Sequence, residues 1–191
     1  MLIGLVSDTH VLDDLVGMPP EITDAFSARR VGLILHMGDV YSTRVLDVLE
    51  AVAPVVAVRD FTERASSDPR LAVTTRVVDV AGKSIGVVHD IGWPGPRIVA
   101  DRTLELPAEP PLPEVLERKF GRSVDIVAFG HTHEELIAVR EGVWFVNPGS
   151  PTRPGLRHRT GDLGTIGILE ISGDGEVRAE IVKLHRRASG E

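Results

Sequence analysis

The segment Leu2-Ile3-Gly4-Leu5-Val6-Ser7-Asp8-Thr9-His10 opens the chain with a short aliphatic run that stops in two side chains able to bind metal. An apolar run of this length reads as a strand covered on both faces, since alternation is lost when neither face meets water. The pattern recurs at Val31–His36, followed by Gly38-Asp39, and at Pro54–Val58, followed by Arg59-Asp60. Between the first two runs lies Pro20–Arg29. Between the next two lies Ser42–Ala51, whose Val45, Leu46, Val48 and Leu49 suit an amphipathic helix. Strand, helix, strand, helix, strand implies parallel pairing with right-handed crossovers, so the first third is α/β.

Beyond Ala72 the pattern changes to strand pairs. Thr74–Val80 and Ser84–His89 flank the turn Ala81-Gly82-Lys83. Leu136–Val139 and Val143–Val146 flank Arg140-Glu141-Gly142, and Thr165–Ile171 and Glu176–Val182 flank Gly173-Asp174-Gly175. All three read as antiparallel hairpins. Pro107–Pro113 is expected to be extended and to lead into a helix over Glu114–Phe120 that Gly121 terminates. Gly155–Gly164 is expected to be the most mobile loop, with Arg157, His158 and Arg159 exposed.

A chain of 191 residues with 42% hydrophobic and 26% charged residues has the material for one sizeable core, and residues 1–191 read as a single domain. The apolar start Met1–Val6 is too short for a signal peptide or a membrane span, so a cytoplasmic location is expected and no membrane partner. With no cysteine, disulfides, thiolate zinc sites and cysteine nucleophiles are excluded. Any tightly held metal must then sit on nitrogen and oxygen. A net charge of −7 argues against a stable nucleic-acid partner, which draws on clustered Lys and Arg. It does not exclude a small phosphate ester, because bound dications reverse the local charge of an acidic cluster. The formation of a homo-oligomer is left open.

The apolar run Val124–Phe129 ends in Gly130-His131-Thr132-His133, two imidazoles on either side of one residue. With Asp8, His10, Asp39 and His89 these make a scattered set of imidazole and carboxylate ligands, each where a strand stops. Zn²⁺, Mn²⁺ and Fe accept such mixed ligands, and two ions a few ångströms apart can clamp a phosphoryl group. The ligand types point to a metal-dependent hydrolase. His36 is expected to orient Asp39 rather than to bind metal, and His158 and His185 to be surface residues. Asn147-Pro148-Gly149-Ser150 reads either as a plain turn or as a brace for the ligand loop. Trp93, with Pro94 and Pro96, either packs as a cleft wall or stacks on a base.

The ordered motifs Asp8-Thr9-His10, Gly38-Asp39, the segment after Val58, His89, Gly130-His131-Thr132-His133 and Asn147-Pro148-Gly149-Ser150 resemble those of the calcineurin-like metallophosphoesterases. The likeness is to their small bacterial and archaeal phosphodiesterase group, to which the retromer subunit of similar fold is related. It implies a four-layer αββα sandwich of two mixed sheets. It also implies that Asp8, His10 and His133 hold one divalent ion and His89 and His131 a second, with Asp39 bridging them. Mn²⁺ is the expected metal, with Zn²⁺, Fe or Ni²⁺ as alternatives. A hydroxide on this pair would attack phosphorus, with Asp39 and His131 as catalytic residues and Arg153 meeting a substrate phosphate oxygen.

The resemblance departs from the pattern at Arg59-Asp60-Phe61-Thr62-Glu63, where active members carry Arg-Gly-Asn followed by Cys or His. Without a gap, Phe61 takes the Asn position and a ligand is lost. With the Gly deleted, Asp60 replaces the Asn and joins the metal ligands, the alignment preferred here because a carboxylate can coordinate and a phenyl ring cannot. Phe61 then stands where a His assists the leaving group in larger members, and it can donate no proton. His89 is followed by Asp90, so the family's His-Gly-His keeps only its first histidine. The Phe61 segment supports an alternative, a weak or inactive member acting as a protein-binding module as the retromer subunit does; the intact set Asp8, His10, Asp39, His89, His131 and His133 opposes it.

Overall fold

The computed structural model describes residues 1–16, 18–61 and 66–186. In chain order these residues form β1 (Leu2–Val6), α1 (Pro20–Arg29), β2 (Leu33–His36), α2 (Arg44–Glu50) and β3 (Val55–Ala57). There follow β4 (Thr75–Val80), β5 (Lys83–Val88), β6 (Val99–Ala100), β7 (Leu104–Glu105), α3 (Leu112–Phe120) and β8 (Ile126–Ala128). The chain finishes with β9 (Leu136–Arg140), β10 (Val143–Asn147), β11 (Thr165–Ile171) and β12 (Val177–Lys183).

The strands assemble into two five-stranded sheets, ordered β12-β11-β1-β2-β3 and β4-β5-β8-β10-β9, beside a small β6-β7 ribbon. In the first, β1, β2 and β3 run parallel, while β11 and β12 return antiparallel. In the second, β5, β8 and β10 run parallel between antiparallel edges β4 and β9. Both sheets are therefore mixed.

Alternate residues of one strand feed two different cores, which is why the runs in the sequence are continuously apolar. Ile3, Leu5, Leu33 and Leu35 turn inward to meet Ile85, Val87, Ile126, Ala128 and Val146 of the other sheet. Val6, Ile34, Ile166 and Ile168 turn outward onto Ile22 and Phe26 of α1 and Val45, Leu46 and Leu49 of α2. Val127, Phe129 and Phe145 turn outward onto Leu112, Val115 and Leu116 of α3. The result is a four-layer αββα sandwich, the architecture anticipated above.

Three details differ from the sequence reading. The β4-β5 and β9-β10 turns contain two residues, Ala81-Gly82 and Glu141-Gly142, with φ of 49° and 78° in one and 50° and 81° in the other. This left-handed pair matches the twist of a tight hairpin, so Lys83 and Arg140 belong to strands. Helix α3 begins at Leu112, two residues early, because a proline in the first turn of a helix forfeits no internal hydrogen bond. The β6-β7 ribbon went unread, since two residues per strand carry no period. Among the described residues no helix is long and apolar enough to cross a membrane.

Candidate metal centre

In both sheets the parallel strands deliver their C-terminal ends to one edge, where side chains project from loops unencumbered by strand pairing. Asp8 and His10 follow β1, Asp39 follows β2, Asp60 follows β3, His89 follows β5, and His131 and His133 follow β8. Two close-set groups of ligand atoms result, Asp8 with His10 and His133, and Asp8 with Asp39 and His89. Asp8 Oδ1 lies 3.4 Å from His133 Nε2, 3.9 Å from His89 Nε2 and 4.0 Å from His10 Nε2. Asp39 Oδ2 lies 3.4 Å from His10 Nε2 and 3.7 Å from His89 Nε2. Both carboxylates thus stand between the histidines of the two groups, with Asp8 common to both and Asp39 reaching a histidine of each.

The ring tautomers follow from the outer contacts. His89 Nδ1 lies 2.7 Å from the Met37 carbonyl, and His133 Nδ1 lies 2.6 Å from the Arg153 carbonyl. A carbonyl only accepts, so each Nδ1 carries a proton, and in the neutral ring each Nε2 is left with a lone pair on the side of Asp8 Oδ1. Oδ1 of Asp8 and Nε2 of His89 are buried with no hydrogen-bond partner among the described residues. Lone pairs facing a carboxylate oxygen repel unless positive charge lies between them. This donor set fits a divalent cation of borderline hardness.

The backbone is bent to make this possible. Asp8, His10, Asp39, His131 and His133 all have positive φ, between 47° and 72°, and Tyr41 beside them has 67°. Asp and His tolerate this region better than most residues, yet each instance costs about 1–3 kcal/mol, a cost typical of functional loops. Two glycines let the loops meet. A Cβ on Gly130 would fall 1.9 Å from Ser7 Oγ and 2.6 Å from Asp8 Oδ2, and one on Gly38, at φ 93°, 2.8 Å from the His89 side chain. Backbone bonds then stitch the loops, from Asp8 N–H to Gly38 O at 3.0 Å, His10 N–H to Asp39 O at 3.0 Å and Gly130 N–H to His89 O at 2.9 Å.

The loops that carry these side chains are braced largely by the Asn147–Thr152 turn. Asn147 Nδ2 donates to Gly130 O at 2.9 Å and to Thr132 Oγ1 at 3.1 Å, while its Oδ1 accepts from Gly149 N–H. Ser150 Oγ donates to the Asp8 carbonyl at 2.8 Å and Thr152 Oγ1 to the Thr9 carbonyl at 2.7 Å. The turn is a brace as well as a bend. Sequence reading missed the roles of Ser150, Thr152 and Thr9, whose short hydroxyls carry no spacing signal. Among the described residues His36 makes no hydrogen bond to the Asp39 side chain: its Nε2 meets Thr9 Oγ1 at 3.1 Å, in full burial. His158 is not a surface residue either, since its Nε2 pairs with Glu135 Oε1 and its side chain is 7% exposed. That contact, with Leu156 N–H on Glu134 Oε1, ties down the loop expected to be the most mobile.

Charge and burial compete at these groups. Burial pushes the Asp8 carboxyl upward, but contact with His133, and the charges of His89 and His133 when those rings are protonated, outweigh it and hold Asp8 below its usual value. The Asp8 contact raises His133. Desolvation lowers His10, and drives His36 down to about 3. His36 therefore stays neutral as a hydrogen-bonding strut.

Three expected site residues lie outside the two close-set groups. His131 sits alongside, its ring centroid 5.2 Å from that of His89 and its backbone N–H donating to Asp8 Oδ2 at 3.1 Å. Asp60 is buried near the end of β3, and Thr62 and Glu63 of the same segment lie outside the described residues. Arg153 is exposed, with its guanidinium carbon 6.0 Å from the centre of the Tyr41 ring, which in turn packs edge-on at 4.8 Å against His10.

Residues 1–174 match the family model of the calcineurin-like phosphoesterase superfamily domain. The chain is 33% identical to a probable metallophosphoesterase of Methanothermobacter thermautotrophicus over 185 residues, 96% of this chain and 92% of that one. Among solved structures it resembles wild-type Vps29 of Entamoeba histolytica complexed with Zn²⁺, at a TM-score of 0.65 and 25% identity, over 96% of this chain and 99% of that one. An archaeal phosphodiesterase shares the fold at a TM-score of 0.62 and 24% identity, over 95% of this chain and all of that one.

Proposed function

We propose that this chain, which belongs to the calcineurin-like phosphoesterase superfamily, is a metal-dependent phosphoesterase acting on small phosphodiesters through a dinuclear centre. The observation that carries the reading is the buried Asp8 Oδ1, without a hydrogen bond and faced by the Nε2 atoms of three histidines. Asp8, His10 and His133 would hold one ion. Asp39 would bridge it to a second ion held by His89, His131 and Asp60. Mn²⁺ is the favoured metal, and the zinc of the Entamoeba histolytica relative makes Zn²⁺ the first alternative. Divalent ions bound there supply Lewis-acid charge to phosphoryl oxygens and acidify water toward neutral pH.

The side chains do the rest. Asp39 and Asp8 would offset the repulsion between paired cations, and the Met37 and Arg153 carbonyls, by accepting from the Nδ1–H groups of His89 and His133, would leave each Nε2 for a metal. Arg153, whose guanidinium lies by the Tyr41 ring that packs against His10, would meet a phosphate oxygen of the substrate. Phe61 can give no proton to a departing oxygen, so esters with acidic leaving groups are the better substrates.

The test is Mn²⁺-dependent hydrolysis of bis(p-nitrophenyl) phosphate by the wild type and by His89→Ala and His131→Ala, with metal content measured on each. Turnover that needs metal and falls at least a hundredfold in the variants supports the reading. Equal background rates in all three would leave the second reading, a protein-binding module of the same fold, which Phe61 favours.

A further inference from the structure

A groove of about 390 Å³ adjoins the cluster, with Phe61, Asp90, Trp93, Arg97, Ile98 and His131 in its lining. Its size falls within the range of small-molecule sites. The rings of Phe61 and Trp93 stack with centroids 4.9 Å apart and planes 22° from parallel. Yet the two side chains remain 41% and 44% exposed, so this stack is not a piece of core. Two large aromatic faces left to water beside a polar cleft are a surface awaiting a flat partner.

The loop that carries Trp93 is anchored at three points. Asp90 Oδ1 accepts from Gly92 N–H at 2.7 Å, and the Trp93 N–H donates to Asp90 O at 3.1 Å. Lys119 Nζ, on a side chain of a residue only 3% exposed, donates to Pro94 O at 2.6 Å. A lysine is seldom buried without need, and here its ammonium holds the loop against α3. The backbone that carries the indole is therefore held in place, and the ring leans on Phe61, which lowers the entropy lost when a further ring stacks on it.

We propose that Phe61 and Trp93 form a stacking platform for a nucleobase, so that the phosphate esters taken by this site are nucleotides. The proposal rests on the phosphoesterase reading of the adjoining cluster, since His131 lines the groove and is proposed as a ligand of the second ion. Arg97, Asp90 and Asp101 along the groove offer donors and acceptors to a base edge, which a plain aryl ring would not use. Phe61 thereby has a positive role, where a proton-donating side chain is missing. Base stacking on aromatic side chains is sequence-tolerant, so about a tenfold gain in affinity is expected for purines, with less for pyrimidines.

The test is equilibrium dialysis of 5′-AMP, ribose 5-phosphate and phenyl phosphate against the Mn²⁺-loaded full chain and its Phe61→Leu/Trp93→Leu variant. AMP should bind the wild type about ten times more tightly than ribose 5-phosphate, and the ratio should fall to near one in the variant. Phenyl phosphate should match ribose 5-phosphate; if it matches AMP instead, the ring sits at the phosphate and the nucleobase assignment fails. Should the double variant not fold, Trp144→Phe leaves Trp93 as the sole tryptophan, and its fluorescence should be quenched saturably by AMP and not by ribose 5-phosphate. Equal affinities in the wild type, or a preference that survives loss of both rings, overturns the platform. Hydrolysis without base preference sinks the platform alone, whereas base-dependent binding without hydrolysis sinks the phosphoesterase reading alone.

Discussion

Asp8→Asn is the substitution that most directly separates a residue kept for a cation from one kept for the fold. The asparagine oxygen can still accept the His131 backbone N–H that Asp8 Oδ2 accepts at 3.1 Å. Its amide would replace Oδ1, an acceptor that faces lone pairs, with a donor that His133 or His89 Nε2 can use. Relief of one unsatisfied buried oxygen is worth about 1–3 kcal/mol. For 191 residues at about 2.1 cal/mol/K each, the unfolding entropy is about 0.4 kcal/mol/K, so each kcal/mol moves the melting temperature by about 2.5 °C. At pH 8 in chelator, the variant should therefore melt as high as the wild type or up to about 7 °C higher. Adding Mn²⁺ at a hundred times its Kd should stabilise the wild type by about 2.7 kcal/mol per ion, about 7 °C, and the variant by less, because the ion proposed to sit on Asp8, His10 and His133 loses Asp8. Differential scanning fluorimetry with and without metal reads all four values. A chelated variant several degrees below the wild type, or the same metal shift in both proteins, would refute the reasoning.

Gly130→Ala should cost about 1–3 kcal/mol of stability, because its Cβ would meet Ser7 Oγ at 1.9 Å, and should lower metal uptake by pushing on Asp8; chemical denaturation and metal analysis check both. Asn147→Ala should cost about 2–3 kcal/mol through two lost donor bonds and one lost acceptor bond, with a matching fall in bis(p-nitrophenyl) phosphate turnover. Burial, opposed by Asp90, pushes the Lys119 ammonium down to about 8 from 10.5. Below pH 8 both folded and unfolded chains carry its proton and the full cost is present; between pH 8 and 10.5 only the unfolded chain does, and the cost is relieved as pH rises. The stability advantage of Lys119→Met over the wild type should therefore shrink by about 2–3 kcal/mol across that interval, as urea denaturation at pH 8 and 10.5 would measure.

The α/β class and the parallel core were legible because the strands leading to ligands are buried on both faces and so print as unbroken apolar runs. The hairpins were legible from Gly82, Gly142 and Gly175, although the two-residue turns placed Lys83 and Arg140 inside strands. His158 and His36 were misjudged for one reason: a lone histidine looks the same in sequence whether it faces water, Glu135 or a threonine hydroxyl. Phe61 could be read only as a missing proton donor, since nothing local announces that Trp93, 32 residues on in the chain, lies stacked against it.

Composition and order along the chain determined which atoms are available to a metal, because residue type alone sets lone pairs, softness and charge, and the absence of cysteine leaves only nitrogen and oxygen. Only the tertiary structure decided that these atoms converge. Their meeting depends on the strand order of two sheets, on left-handed backbone at Asp8, His10, Asp39, His131 and His133, and on two glycines that let the loops close. It also decided which nitrogen of each ring faces inward. The Met37 and Arg153 carbonyls select the tautomers, and they are backbone groups that every residue carries and no sequence pattern can single out.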